Sequence, residues 1–240
     1  MIPSCIICGG ATNHHQQKNT NQPNLPVATA VSGLCTRCSA KIPWITDPRC
    51  RWCGRAVPCG DCLRRRKRYL MLNRAAVEYT RDMKEWLARY KYRGDERLAP
   101  LFGWMLEHAY HMLRQELMRR DICIHGITYV PLSPLRLRDR GFNQAEQLAR
   151  YLGSRFRLPV VSMLERTVHT GKQSFKTRAE RIGDMVHAFA VRTQAAAVVK
   201  PGMCLIIVDD VYTTGSTLHQ CAKALRDTCR INCFGLTWAR

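Results

Sequence analysis

Short apolar runs alternate with amphipathic segments along most of the chain after residue 69. The apolar runs predict β-strands at 75–79, 126–130, 160–161, 205–208 and 233–238. The amphipathic segments repeat apolar residues at helical spacing, and they predict helices at 80–92, 144–155 and 218–227. A further helix is predicted from a cap at Asp95 to about residue 117, with a bend near Pro100. Because strands that alternate with helices form mainly parallel sheets, the pattern predicts an α/β fold with helices flanking the sheet.

Two basic segments interrupt this alternation. Residues 131–144 follow a predicted strand, carry several arginines and lead into the helix that begins at Gln144. Residues 166–181 are also basic and precede the connection to the strand at 205–208. We expect both segments to be loops.

The strand at 205–208 runs directly into two carboxylates, Asp209 and Asp210, and then into a short loop before the next helix. In a strand–loop–helix unit this loop lies at the carboxyl end of the strand, where open α/β sheets bind ligands. Backbone N–H groups at the helix start can bind a phosphate together with the hydroxyls of the loop, which belong to Thr213, Thr214, Ser216 and Thr217. Gly215 lets the backbone approach that phosphate closely. With two carboxylates to accept from ribose hydroxyls, the segment predicts a sugar-phosphate site; the alternative is a buried strand followed by an acidic turn and a capped helix.

The order of residues 205–217, Leu-Ile-Ile-Val-Asp-Asp-Val-Tyr-Thr-Thr-Gly-Ser-Thr, closely resembles the 5-phosphoribosyl-1-pyrophosphate (PRPP) signature of type I phosphoribosyltransferases. The resemblance implies that the two acids hold the ribose 2′ and 3′ hydroxyls and that the loop holds the 5′-phosphate. The PRPP-binding residues that it implies are Asp209, Asp210, Val211, Thr213, Thr214, Gly215, Ser216 and Thr217. It also implies Mg²⁺ with PRPP, and a type I phosphoribosyltransferase-like fold.

Eight of the thirteen cysteines form four C-x-x-C pairs near the amino terminus. Each pair places two thiolates on one turn, and two such turns supply the four ligands of a tetrahedral zinc, so four pairs predict two structural Zn²⁺ ions in a zinc-ribbon module. Pairing neighbours in sequence gives two sites, Cys5, Cys8, Cys35 and Cys38, and Cys50, Cys53, Cys59 and Cys62. A cross-braced arrangement is the alternative. Disulfides and redox-active pairs are disfavoured, because no basic-then-apolar signal segment is visible and intracellular thiols stay reduced.

The chain carries a formal net charge of +20, and the excess is concentrated between residues 49 and 68, with eight Arg or Lys against one acid. This run ends in the cluster Arg64, Arg65, Arg66, Lys67 and Arg68. Trp44, Trp52 and Tyr69 lie within or beside the run and could stack on unpaired bases. The run therefore favours single-stranded nucleic acid. A solvated basic face and an anionic membrane surface are the alternatives.

The remaining sequence features are a polar segment at 13–30, five cysteines outside the pairs and the boundary between two predicted domains. Residues 13–30 are rich in Asn, Gln, His, Thr and Pro, which predicts a flexible loop, and His14 and His15 are interpreted as solvated. We expect the other five cysteines to be buried small hydrophobes. No run of 18 apolar residues exists. The predicted domains are a double zinc-ribbon module at 1–68 and a phosphoribosyltransferase-like domain at 69–240.

Several of these motifs occur together in an order that resembles the ComF family, also called GntX. They are the cysteine pairs, Lys91-Tyr92, the box Arg140-Gly-Phe-Asn-Gln144, residues 170–181 and the PRPP loop. One departure is Asp184, where the family commonly has Asn. The resemblance implies natural competence, handling of incoming single-stranded DNA, a helicase-like or translocase partner, and a cytoplasmic protein that can lie at the inner face of the membrane.

The resemblance also suggests further ligand contacts. In similar enzymes the loop after an early strand binds pyrophosphate, and here the candidates are Arg136, Arg138, Arg140 and Asn143, with Lys91 as a further cation or a cap of its helix. Candidates for a hood over the site are Gln173, Arg178 and Arg181.

The catalytic residues and the acceptor are not identified by the sequence. Three hypotheses remain open: a competence protein that binds PRPP, a nucleobase salvage phosphoribosyltransferase that converts PRPP and a base to nucleotide and pyrophosphate, and a PRPP sensor without turnover. No segment resembles a hood that recognises a purine or pyrimidine.

Overall fold

The computed structural model describes residues 4–12, 33–167 and 188–240. The strands in these ranges are β1 (Leu70–Val77), β2 (Gly126–Tyr129), β3 (Leu164–Arg166), β4 (Phe189–Val191), β5 (Cys204–Val211) and β6 (Asn232–Ala239). The helices are α1 (Thr36–Ala40), α2 (Gly60–Arg64), α3 (Arg81–Tyr92), α4 (Ala99–Met118), α5 (Pro134–Arg140), α6 (Gln144–Phe156), α7 (Thr193–Ala196) and α8 (Ser216–Cys229). A 3₁₀ turn, Glu96–Leu98, precedes α4.

Four strands form a parallel sheet in the order β1-β6-β5-β2. The strand that carries the acid pair, β5, is central, with Ile206 paired to Ile127 of β2 and to Phe234 of β6. A separate two-stranded antiparallel sheet is formed by β3 and β4. The predicted α/β class, a parallel sheet flanked by helices, is confirmed.

Alternate residues of the central strands face two hydrophobic clusters on opposite sides of the sheet. Ile206, Val208 and Trp238 pack with α3, α4 and α6, and the ring of Trp238 stacks on Phe102 of α4 at 4.3 Å between centroids. Leu205 and Ile207 instead pack with α8. A strand buried on both faces reads as a continuous apolar run, and each such side chain contributes about 1.5–3 kcal/mol of burial energy.

The predicted strand at 75–79 starts too late. β1 begins at Leu70 and pairs with β6 from there, but Asn73 and Arg74 interrupt its apolar pattern. Both polar side chains are buried and have partners: Asn73 donates to Thr237 Oγ1 at 3.1 Å, and Arg74 forms an ion pair with Glu116 of α4. Internal pairing therefore allows polar residues inside a buried strand.

Three further predictions need correction. Residues 134–140 form the helix α5 rather than a loop, since Ser133 caps its start and Gly141, at φ 79°, ends it. Pro100 does not bend a helix, because it lies in the first turn of α4, where a proline is tolerated. The predicted strand at 160–161 is reduced to one bridge between Val160 and Ile127.

The cysteine-rich segment is attached to the sheet by backbone hydrogen bonds. Ile45 N–H donates to the Ala76 carbonyl at 3.0 Å, and Glu78 N–H donates to the Pro43 carbonyl at 2.9 Å. Trp44 forms an antiparallel bridge with Val77. Residues 43–45 thus extend the sheet at its β1 edge. The division into 1–68 and 69–240 stays a prediction, and these bonds show that the two parts are in close contact.

A candidate sugar-phosphate site beside a cysteine cluster

The acid pair lies at the carboxyl end of β5, as the sequence predicts. The carboxylates point in opposite directions because they are successive strand residues. Asp210 Oδ2 lies 2.5 Å from Lys91 Nζ at the end of α3, and both side chains are largely buried. Asp209 accepts from the Asp210 N–H at 2.8 Å. Burial, together with the adjacent charge of Asp210, raises the pKa of Asp209 well above the usual range for a carboxyl group.

The loop after β5 presents hydroxyls to solvent. Thr213, Thr214 and Thr217 are exposed, and α8 begins directly behind them at Ser216. Thr214 Oγ1 lies 2.9 Å from Ser216 Oγ and accepts from the Ser216 N–H at 3.3 Å. A helix start with free N–H groups and adjacent hydroxyls is a favourable anion site.

Gly215 is required here for a reason that the sequence did not show. Its φ is +77°, and a Cβ at this position would lie 2.1 Å from the hydroxyl oxygen of Tyr212. Tyr212 is buried beneath the loop, and its burial raises the pKa of its hydroxyl above the usual range. The glycine therefore accommodates both the left-handed turn and the tyrosine ring, whereas close approach of a phosphate at Gly215 stays a prediction.

Two arginines donate hydrogen bonds to backbone carbonyls of the loop. Arg240 Nη1 donates to the carbonyls of Tyr212, at 3.1 Å, and Thr213, at 2.7 Å. Arg65 Nη2 donates to the Thr214 carbonyl at 2.8 Å. Sequence reasoning missed Arg240, which lies in no motif, and it placed Arg65 only in the basic run.

The candidate pyrophosphate residues are divided between two environments. Lys91 pairs with Asp210. The Arg140 guanidinium lies 5.1 Å from the ring centroid of Tyr92 and donates to Gln144 Oε1 at 2.9 Å. Arg136 and Arg138 are exposed on α5.

Asn143 has a structural role. Its side-chain oxygen accepts from the Ala145 N–H at 3.0 Å, which caps α6, and its amide nitrogen donates to the Val130 carbonyl at 3.0 Å. Its contact with pyrophosphate, like those of the neighbouring arginines, stays a prediction. The hood candidates Gln173, Arg178 and Arg181 lie outside the described residues, as does Asp184.

Arg166 is an additional cation near the acid pair. Burial lowers the pKa of its guanidinium, the nearby charge of Arg136 lowers it further, and the charge of Asp209 opposes this change. The only sequence signal for this residue is its place at the start of a basic segment.

The cysteine pairs form two clusters, and in each the four Sγ atoms lie within 4.8 Å of one another. The structure groups neighbouring pairs, so the sequential arrangement is confirmed rather than the cross-braced one: Cys5, Cys8, Cys35 and Cys38 form the first cluster, and Cys50, Cys53, Cys59 and Cys62 form the second. Tetrahedral Zn–S bonds of about 2.3 Å require Sγ atoms about 3.8 Å apart, and Cys8 and Cys35 are 3.6 Å apart. Both clusters could hold a zinc ion.

The two clusters lie on opposite faces of the sheet. Cys5 and Cys38 pack in the hydrophobic cluster with α3 and α4, whereas all four cysteines of the second cluster are buried on the α8 side. Of the other five cysteines, Cys221 and Cys233 are buried as expected, Cys204 and Cys229 are half-buried, and Cys123 is exposed. The expectation of burial was therefore wrong for Cys123.

The basic run is only partly available to a ligand. Arg64, Arg66 and Lys67 are exposed, whereas Arg65 contacts the loop and Arg68 donates to the Cys62 carbonyl at 2.5 Å.

The aromatic residues near the run are mostly covered. Trp44 packs against Trp104 and His108, and Trp52 has guanidinium groups 4.1 and 4.2 Å from its ring centroid. Trp44 is therefore half-buried and packed against the protein core, which disfavours stacking of this ring on bases. Within the described residues, no helix combines the length and apolar character needed to cross a membrane.

No family model matches the chain. It is 32% identical over 201 residues to the competence protein ComFC of Bacillus subtilis, which covers 80% of this chain and 77% of that protein. It is 28% identical over 231 residues to the competence protein ComFC of Streptococcus pneumoniae, with 93% of each chain covered. The DNA utilization protein YhgH of Escherichia coli K12 is 29% identical over 212 residues, which are 84% of this chain and 87% of that protein.

One solved structure shows a weak similarity in fold to this chain. It is described as the allosteric regulatory enzyme of purine biosynthesis, with a TM-score of 0.33 and 16% identity over 50% of this chain and 23% of that one. A similarity this small supports no statement about function.

Proposed function

The chain belongs to the ComF family, and on this basis we propose that it binds PRPP with Mg²⁺ and handles incoming single-stranded DNA during natural transformation. The observation that carries the proposal is the carboxyl end of β5, where an acid pair, a hydroxyl-lined loop and a helix start meet. The relatives named competence protein or DNA utilization protein support the part concerning DNA.

PRPP would be held by groups that are already close together. The N–H groups of residues 213–217 and the nearby hydroxyls would bind the 5′-phosphate, and Asp209 and Asp210 would accept from the ribose hydroxyls. Lys91 neutralises Asp210 at 2.5 Å in the structure. A ribose hydroxyl that donates to Asp210 would replace part of this contact and leave Lys91 beside the pyrophosphate, together with Arg140.

Mg²⁺ would neutralise the pyrophosphate oxygens when it is bound with PRPP. The residues of the chain contribute positioning and charge, which are the main requirements for transfer through an oxocarbenium-like state.

Zinc would stabilise the amino-terminal part. All eight ligands are thiolates, which is the typical donor set of closed structural sites, and each ion would contribute on the order of 10 kcal/mol to local folding.

The exposed part of the basic run would contact the DNA backbone. Arg64, Arg66 and Lys67 carry the exposed cations, and Arg65, between them, reaches the loop. A strand bound along this run would therefore lie next to the PRPP site. A helicase or translocase would be the partner that delivers the strand, as the family resemblance implies.

Calorimetry with PRPP, with and without Mg²⁺, tests the site. We expect Asp209→Asn combined with Asp210→Asn to remove binding, because the ribose acceptors are lost. Asp227→Asn, which removes an exposed acid of α8 paired with Lys223, is the matched control and should bind as the parent does. If the parent chain binds no PRPP in the presence of Mg²⁺, the proposed site is wrong.

Salt-dependent binding of a single-stranded oligonucleotide tests the basic run. Replacing Arg64, Arg66 and Lys67 with Gln should reduce the slope of log K against log salt by about 2, since each phosphate contact on a single strand contributes about 0.7. PRPP binding should be retained. An unchanged slope would place the DNA elsewhere, and binding of the parent to anionic vesicles but not to DNA would favour the membrane alternative.

Incubation with PRPP and free bases separates the remaining alternatives. Pyrophosphate release that depends on a free base would support nucleobase salvage. PRPP binding that changes DNA affinity without turnover would support a sensor, and the coupling must then be reciprocal.

A further inference from the structure

Three successive carbonyl groups of the loop accept hydrogen bonds from two arginines. Arg240 donates to the carbonyls of Tyr212 and Thr213, and Arg65 donates to the carbonyl of Thr214. Both donors are guanidinium groups, and hydrogen bonds from charged donors contribute more than neutral ones, about 1.5–3 kcal/mol each. The loop therefore has a fixed carbonyl face.

The position of the carbonyls determines where the N–H groups point. In a trans peptide the N–H points opposite to the C=O of the same unit. Because the carbonyls of Tyr212 and Thr213 accept from Arg240 and that of Thr214 accepts from Arg65, the N–H group of each of these three peptide units points away from its arginine and is available to an anion. Such preorganised donors need little rearrangement when an anion binds.

Arg240 is itself attached to the second cysteine cluster. Its Nη2 lies 3.4 Å from Cys53 Sγ and 3.8 Å from Cys59 Sγ, and its guanidinium lies 4.9 Å from the ring centroid of Tyr212. Four thiolates around one Zn²⁺ carry a net negative charge, which attracts a guanidinium, and groups next to metal ligands are commonly fixed in this way.

We propose that Arg240 and Arg65 are positioning residues that hold the phosphate loop ready for an anion, and that the second cysteine cluster controls phosphate affinity by fixing Arg240. The first cysteine cluster does not affect the phosphate loop, since it lies on the opposite face of the sheet. It contacts α3 instead, where Arg89 donates to the Ile6 and Ile7 carbonyls. The chain thus contains one cluster that is coupled to the loop and one that serves as an internal control. The inference rests on the proposed PRPP site for its ligand, but not for its geometry.

The first test compares Arg240→Gln with Arg226→Gln, an exposed arginine on α8. Three quantities are measured: bound zinc per chain, the Kd of PRPP with Mg²⁺, and hydrogen–deuterium exchange of the Tyr212 and Ser216 amides, whose hydrogen bonds to the Ala239 carbonyl and to Thr214 Oγ1 protect them while the loop keeps its conformation. We expect Arg240→Gln to retain two zinc ions, to weaken PRPP binding about tenfold or more, and to accelerate exchange in the loop, because two charged hydrogen bonds are lost. Arg240→Lys should give an intermediate result, and Arg226→Gln should behave as the parent. Unchanged loop exchange in Arg240→Gln would overturn the proposal.

The second test compares the clusters. Cys59→Ser removes a ligand next to Arg240, and Cys8→Ser removes one from the first cluster. We expect Cys59→Ser to accelerate exchange of the Tyr212 and Ser216 amides and Cys8→Ser to leave it as in the parent. Equal effects of the two variants, or none, would contradict control by the second cluster.

Hydrogen–deuterium exchange is measured without a ligand, so the positioning role of Arg240 and the binding of PRPP are tested separately. If Arg240→Gln loosens the loop while the parent binds no PRPP, the arginine contacts are correct and the proposed function is wrong. If PRPP binds equally well to parent and Arg240→Gln, the proposed function is supported and the positioning role is wrong.

Discussion

His219 gives a stability prediction that can be worked out from the structure. Its Nδ1 accepts from the N–H groups of Tyr69, at 3.3 Å, and Leu70, at 3.4 Å, and therefore joins α8 to the start of β1. Burial, together with the charges of Arg65 and Arg68, lowers the pKa of this imidazole from 6.5 to about 4. Acceptance of two backbone N–H groups requires the neutral ring, so protonation breaks the contact.

The direction and size of the pH effect on the free energy of unfolding follow from the difference between the folded and unfolded pKa values of His219. Between about pH 6.5 and pH 4 the unfolded chain binds a proton at this residue and the folded chain does not, so the free energy of unfolding falls as the pH falls. At 1.36 kcal/mol per pH unit, the difference between the two pKa values corresponds to about 3 kcal/mol in total. About 1 kcal/mol of this is lost between about pH 7 and pH 5.5.

The assay is urea unfolding at these two pH values, for the parent and for His219→Asn. An asparagine oxygen can replace Nδ1 as the acceptor but does not titrate, so the variant should lose about 1 kcal/mol less than the parent over the interval. His125→Asn is the control for the substitution itself, because His125 is exposed whereas His219 is buried. This control should follow the parent, and changes in zinc binding with pH affect all three proteins. The reasoning is refuted if His219→Asn and the parent lose the same free energy.

Three further predictions concern the loop, the buried ion pair and the metal. Gly215→Ala should destabilise the chain more than Gly202→Ala in thermal unfolding, since both glycines have positive φ but only the first would place a Cβ against Tyr212, 2.1 Å from its hydroxyl oxygen; equal losses would contradict the account of Gly215. Glu116→Gln should cost about 3–5 kcal/mol in urea unfolding, because it leaves the buried Arg74 guanidinium without its countercharge, whereas Glu146→Gln, in an exposed pair with Arg150, should cost about 0–1 kcal/mol. The purified chain should contain two zinc ions by elemental analysis, and Cys62→Ser should reduce this to one; two ions in that variant would refute the assignment of the second cluster.

The parts of the fold that the sequence predicted well are those in which local pattern and tertiary environment agree. β5 is buried on both faces and reads as an uninterrupted apolar run, and α8 follows it with apolar residues at helical spacing. The C-x-x-C spacing likewise predicts the four local pairs, but it leaves the sequential and cross-braced arrangements open, and the structure groups neighbouring pairs.

The sequence predictions are wrong where contacts between residues far apart in the chain determine the local structure. The sequence predicts β1 too short because Arg74 resembles a surface residue, whereas its burial depends on Glu116 of a distant helix and on the Arg51 carbonyl of the cysteine-rich segment. α5 was predicted as a loop because its arginines dominate the segment, although Ser133 and Gly141 mark its ends. The loop contacts of Arg240 had no sequence signal at all, since a single arginine outside any motif is paired with its partners only by the fold.

The attachment of residues 43–45 to β1 predicts what would happen if the proposed zinc ions were removed. The unpaired backbone N–H and C=O groups of an edge strand readily pair with another chain, and natural proteins cover such edges. Here the cover is a segment between the two cysteine clusters, contributing Ile45 N–H and the Pro43 carbonyl. Demetallation would loosen that cover while the α/β sheet persists, so self-association through the bared strand, rather than simple unfolding, is the expected fate of the zinc-free protein.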